Sequence, residues 1–240
     1  MPTPGDVFYL PPEEREGRDK RDRPHLLLSV VSVHAETVTL AYGSTRNTDA
    51  LHGAEHVFVN PGGMHRGTGL VQPTYIYPSR LVSYPAEALP SRSGRIADEL
   101  PAIRASLARA IGLGTGVTSG PNLPGFNRRG RVVALAPELA ADWDLKYAAV
   151  VTEPRYSCSG YQQTVVPILD EACEIRELDV VLTDDPFYGQ LGSEYRTTIL
   201  AVPMIATIYA PEHITGFFDL LVPESAMRQL DGSLVRHFGL

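Results

Sequence analysis

Two cysteines, Cys158 and Cys173, and one tryptophan are all that the 240 residues hold of those types. So few cysteines exclude a disulfide framework or a cysteine-built zinc site and suit reduced thiols in a cytoplasmic protein. Long apolar runs are missing too: none approaches the ~20 residues that span a bilayer. The start carries no basic segment followed by an apolar one, so no signal peptide is expected. Positive charge is short, with 21 Lys+Arg against 28 Asp+Glu and a net of −7. That balance argues against a protein that coats nucleic acid indiscriminately. The shortfall is one-sided. Met1 to Gly125 carries 12 basic and 12 acidic residues, whereas Phe126 to Leu240 carries 9 and 16. A polyanion is tolerated by the first half and repelled by the second. What is present, 43% apolar and 20% charged residues, is the composition of a globular chain with room for one large core or two ordinary ones.

The chain repeats itself. Gly5-Asp-Val-Phe-Tyr-Leu10 is echoed by Gly130-Arg-Val-Val-Ala-Leu135, an offset of 125. Arg23 to Ser29 falls on Lys146 to Thr152, Thr39 to Ser44 on Thr164 to Leu169, Ser79 to Pro85 on Ile205 to Pro211, and Ser106 to Leu113 on Ser233 to Leu240. Those offsets stay between 123 and 127, where chance pairings scatter, so a duplication is the reading. Short β-branched or aromatic runs at Val7 to Leu10, Leu26 to Val33, Thr37 to Tyr42, His56 to Val59 and Thr74 to Tyr77, punctuated by Gly, Pro and Asn, predict strands. Leu100, Ile103, Leu107 and Ile111, and again Ala226, Leu230, Leu234 and Phe238, lie at spacings of three and four and predict a closing helix in each copy. Gly112 to Gly130, rich in Gly, Pro, Ser and Asn, reads as a linker. The expected division is a first domain at 1–115, a linker at 116–128 and a second domain at 129–240, each a small barrel-like sheet with a C-terminal helix.

Gly5-Asp-Val, a charged loop, Arg23-Pro24 and an apolar strand ending in Ser29 resemble the start of the MazF/PemK toxin family. The resemblance continues through Ala41-Tyr-Gly-Ser-Thr45, Pro73 to Arg80 and the helix Ala97 to Leu113, covering nearly all of the first copy; the second follows in outline. It implies a mainly β fold with C-terminal helices, two tandem SH3-like barrels that form a pseudo-dimer within one chain. It also implies a metal-independent endoribonuclease, needing no cofactor, in which the 2′-hydroxyl of single-stranded RNA attacks the adjacent phosphate, and an antitoxin protein as partner. Carried over by position, Arg23, Ser44 and Thr45 are the catalytic candidates, and Arg21, Arg46, Tyr77 and Arg80 the RNA-binding ones. An Arg held by the following Pro offers a planar fork to phosphate oxygens. Hydroxyls on a turn beside Gly43 donate to a phosphate that approaches the backbone closely. Tyr75 and Tyr77 either stack bases or pack in the strand. The Asp that some family members carry in that strand is missing, which removes one acid/base group.

The second copy departs further: Lys146 stands at the place of Arg23, Leu169 at that of Ser44 and Ala206 at that of Arg80, with Asp170, Glu171, Glu174 and Glu177 close by. One site, in the first copy, is therefore expected to survive. The alternative is a non-catalytic binding or regulatory protein on the duplicated scaffold. His52-Gly-Ala-Glu-His56 spells the inverted zinc-protease motif, yet Gly53 interrupts the required helix and a strand follows at once, so a pair of solvent-facing loop histidines is expected instead.

Overall fold

The computed structural model describes residues 1–11, 22–30, 36–47, 56–62, 67–113, 129–139, 145–152, 162–169, 176–183 and 197–240. The linker 116–128, Arg21, His52 and both cysteines lie outside them. The fold is mainly β. Strands β1 (Asp6–Leu10), β2 (Arg23–Leu27), β3 (Thr37–Ser44), β4 (Val57–Val59), β5 (Thr74–Pro85) and β6 (Gly94–Arg95) form one antiparallel sheet in the order β4-β5-β3-β2-β1-β6. Helix α1 (Leu100–Ala110) then closes the first half, burying Ile103 and Leu107 of the expected stripe, with Ala110 buried beside them.

The second half builds β7 (Arg131–Leu135), β8 (Tyr147–Val150), β9 (Gln162–Leu169), β10 (Val180–Thr183), β11 (Thr197–Leu200), β12 (Ala206–Tyr209) and β13 (Ile214–Leu221), then helix α2 (Glu224–Phe238). Its sheet runs β10-β11-β9-β8-β7-β13, with β12 also paired to β9. That is the strand order of the first sheet, with β11 and β12 together in the place of β5. Small details recur at the same places. Gly5 and Gly130 both have positive φ, 97° and 85°, and their N–H groups donate to Leu27 O and Val150 O at 2.8 and 2.7 Å. A side chain with an L-configured Cβ is strained there, which explains the glycine at both places. Ser29 Oγ and Thr152 Oγ1 each accept a backbone N–H, from Thr39 and Thr164. Both helices run out into a left-handed glycine, Gly112 and Gly239.

Two strand expectations are corrected. The second strand starts at Arg23 and ends at Leu27, so Leu28 to Val30 lie beyond it. The fifth extends to Pro85 instead of stopping at Tyr77. The cause is a bulge: pairing to β3 passes from Tyr42↔Tyr77 directly to Ala41↔Leu81, leaving Pro78, Ser79 and Arg80 without a counterpart. Pro78 has no N–H for the ladder, so the alternation that marks a strand breaks there while the strand continues. In the second sheet the same place holds a 3₁₀ turn, Val202–Met204 with Pro203 in it, and the strand splits in two.

The central strands β1, β2, β3, β8 and β9 are buried on both faces. Val7, Leu26, Ala41, Ile76 and Leu81 join α1 in a cluster that continues without a break through Val132, Ala149 and Val166 to Leu230, Leu234 and Phe238 of α2. The opposite face of the first sheet carries a smaller cluster of Phe8, Leu10, Leu27, Val38 and Leu40, and the candidate site extends from it.

Candidate functional site

Period-two alternation sends Arg23, His25 and Leu27 to one face of β2 and Pro24 and Leu26 to the other. Strand β2 is held against β1 by Leu10↔Arg23 and against β3 by His25↔Tyr42. Continued by two residues, the second pairing sets Arg23 against Ser44. Ser44 pairs with Tyr75, and Tyr75 with Phe58. Leu10, Arg23, Ser44, Tyr75 and Phe58 thus form one row across five strands. The neighbouring row on the same face is Phe8, His25, Tyr42 and Tyr77. Across it the rings touch in series: His25 lies edge-on to Tyr42 with centroids 5.6 Å apart, Tyr42 and Tyr77 are 6.5 Å apart, and His56 follows at 5.8 Å from Tyr77 and 5.1 Å from Tyr75.

The bulge in β5 places the cation. Because three residues are looped out of the ladder, Arg80 is carried over the Tyr42 ring, its guanidinium carbon 4.0 Å from the centroid, a cation–π contact. Gly43 lets β2 and β3 close up here, for a Cβ on it would meet the Pro24 carbonyl oxygen at 2.8 Å. Ser44, 3% exposed, accepts the Arg46 N–H on its Oγ at 3.2 Å. An oxygen used in this way keeps its own proton to donate. Thr45 and Arg46 are exposed at the rim, Arg23 and Arg80 are half-buried, and Phe58 is 48% exposed. Tyr77 has no exposed surface and forms the floor of the ring cluster. Six of the seven residues proposed from the sequence are therefore on or beside one patch of a single sheet face, and Arg21 lies outside the described residues.

Sequence reasoning missed His25, Tyr42 and Phe58 and misplaced His56, which is half-buried against two tyrosines and not a solvent-facing loop residue. The signal for His25 was present: in Arg23-Pro24-His25 the Pro marks the odd position out of an alternation. His25 Nδ1 is 3.0 Å from the Arg23 carbonyl oxygen, and since a carbonyl only accepts, Nδ1 carries the hydrogen.

The matching row of the second sheet is Leu135, Lys146, Leu169, Ile199 and Val181, and beside it Val133, Ala148 and Pro167. Leu135, Leu169, Ile199, Val133 and Ala148 belong to an apolar cluster. Only Lys146 keeps a charge. The pairings Leu40↔Val82 and Val165↔Ala206 also shift one sequence correspondence by two residues, setting Met204 rather than Ala206 opposite the place of Arg80. Among the described residues no group of three or more His, Cys, Asp or Glu gathers as a metal ion would require, and no helix is long and apolar enough to cross a membrane.

Neither a protein-family model nor a curated protein sequence matches the chain. A solved structure described as an endoribonuclease in complex with its cognate antitoxin, from a mycobacterial species, is similar to it. Identity is 20%, the match covers 47% of this chain and 97% of the other, and the TM-score is 0.36. A likeness that slight decides nothing about this chain, and the residues must carry the rest.

Proposed function

We propose that the chain is a MazF/PemK-like toxin, an endoribonuclease that cuts single-stranded RNA without a metal and keeps one site, on the first sheet. The row of Arg23, Ser44, Tyr75 and Phe58, with Arg80 over Tyr42 in the row beside it, is the observation that carries this reading. In the reaction the 2′-oxygen forms a bond to phosphorus and the bond to the 5′-oxygen breaks, leaving a cyclic phosphate and a 5′-hydroxyl. Arg23 offers its fork to the charge that gathers on the phosphoryl oxygens, and the hydroxyls of Ser44 and Thr45 donate beside it. Arg46, Arg80 and Arg21 attract the flanking phosphates. Tyr75 and the exposed Phe58 offer ring faces to bases, with Tyr77 backing them. An antitoxin with an acidic segment would complement Arg23, Arg46 and Arg80 and shield the row.

The two sheets are proposed as tandem SH3-like barrels, at 1–115 and 129–240, forming a pseudo-dimer. Their common strand order, paired positive-φ glycines and matched helix stripes favour duplication, and the apolar second row favours loss of function in the later copy. One observation favours the alternative of a non-catalytic binding protein: Ser44 is deeply buried and its oxygen is already engaged. Incubation of the chain with unstructured RNA in excess chelator decides between them. Discrete cleavage, lost in Arg23→Ala, is the expected outcome. Intact RNA with a folded wild-type chain would leave only the binding reading.

A further inference from the structure

We propose that His25 is the proton acceptor of this site, taking the place of the acid/base carboxylate that the strand Tyr75 to Tyr77 does not supply. The inference rests on the ribonuclease reading above. Three features lead to it. Alternation through Pro24 puts the imidazole on the same face as Arg23 and one ladder step from Ser44. The bond from Nδ1–H to the Arg23 carbonyl, 3.0 Å, fixes both ring orientation and tautomer, which makes Nε2 the basic nitrogen. The edge-on contact with Tyr42, centroids 5.6 Å apart, holds the ring from the other side. One short segment thereby ties the phosphate-binding group to the base: the peptide that bears the Arg23 side chain also aims the imidazole.

The groups facing His25 come from four strands. From β1 they are apolar, Phe8 and Leu10; from β3 they are Tyr42 and Ser44; from β5, Tyr77 and the Arg80 guanidinium over Tyr42; and on its own strand, Arg23. Asp6, buried on β1, shares that face one ladder step further along, opposite Leu27, and Arg23 and Arg80 supply two cations. In the step, Nε2 takes the 2′-hydroxyl proton as the 2′-oxygen bonds to phosphorus, and the departing 5′-oxygen takes a proton from water. His25 ends as the imidazolium and returns its proton to solvent. At 7% exposure the ring lies at the bottom of the patch, where a strand of RNA over the row would close it off from water.

The test compares rates of cutting of a short unstructured RNA by the full chain and by His25→Asn, across pH 5 to 9. Asn places an amide N–H where Nδ1–H stood, keeping the bond to Arg23, and removes the basic nitrogen. Expected are a fall in kcat of about 10²-fold or more with KM little changed, loss of the acidic limb of the pH profile, and partial recovery on adding imidazole. If His25→Asn melts below the wild type, His25→Gln, which has a neutral amide near Nε2, must show the same loss of the acidic limb. A wild type that cuts alongside an Asn or Gln variant of equal rate and unchanged profile overturns the inference and leaves the ribonuclease reading standing. A folded wild type that cuts nothing overturns both.

Discussion

His237 carries a clear pH signature at the scale of single residues. Its ring is buried on α2, Nε2 sits 2.8 Å from Thr39 Oγ1 of the first half, and its backbone carbonyl accepts the Val30 N–H at 2.7 Å. Burial lowers its pKa from 6.5 to about 4, because the charged ring would lose its hydration. The unfolded chain takes up that proton near pH 6.5 and the folded one only near 4. Stability from this group is therefore complete above about pH 6.5 and declines as pH falls toward 4. The loss is on the order of 3 kcal/mol at the acid end. Urea midpoints at pH 7 and 4.5 should converge in His237→Gln relative to wild type. An equal drop in both would place the pH sensitivity elsewhere. At the site, Ser44→Ala should lower kcat by about 10²-fold, as loss of one donor to developing charge does, with KM little altered. Single-turnover rates on a short RNA check it.

At the scale of elements, the approach of β2 to β3 depends on Gly43. A methyl there would lie 2.8 Å from the Pro24 oxygen, 3.1 Å from Pro24 Cγ and 3.2 Å from Ile76 Cδ1, and the first of these is backbone that cannot swing aside. Gly43→Ala should cost about 1–3 kcal/mol, read as a lower urea midpoint, and should depress cleavage further by prising Arg23 from Ser44. Both helices could be read from the sequence, since Ile103 and Leu107, and Leu230, Leu234 and Phe238, fall at helical spacing and are buried on one side. The first and third strands were legible for the equivalent reason, a run of β-branched and aromatic residues between turn signals. The bulge in β5 was not. Tyr75-Ile-Tyr77 and Leu81 to Pro85 read as separate segments because Pro78 breaks the alternation, and only the pairing to β3 shows that they continue one another. The stacking of Arg80 on Tyr42 is hidden for the same reason, as it depends on residues 38 apart in sequence meeting across a strand pair.

Over the whole molecule the two halves are joined by buried polar contacts. Arg129, next to Gly130, is wholly buried, donates through Nε to Ile111 O at 2.9 Å, and pairs with Asp231 of α2. Thr207 Oγ1 donates to Ser79 O and Thr37 Oγ1 to Pro203 O, each at 3.0 Å. Removing one member of a buried pair leaves the other charge without compensation, so Asp231→Ala should destabilise by about 3 kcal/mol or more. The exposed pair of Arg176 and Glu36 should tolerate Glu36→Gln at under about 1 kcal/mol; urea melts of the two variants make the comparison. This junction was invisible in the sequence, where Arg129 stood at the end of a Gly/Pro-rich stretch with nothing to mark it as buried. The asymmetry between the two sheets was legible, since Lys146 and Leu169 already differed in kind from Arg23 and Ser44. What the sequence could not display was that the second row is filled in by Leu135, Ile199 and Ala148 as part of a core. The most direct test is therefore a paired one: cleavage of single-stranded RNA by Arg23→Ala and by Lys146→Ala, beside the wild type. Expected are abolished cutting in the first and a rate within about 3-fold of wild type in the second, as for mutation outside a catalytic site. Loss of activity in Lys146→Ala, or full activity in Arg23→Ala, would contradict that expectation.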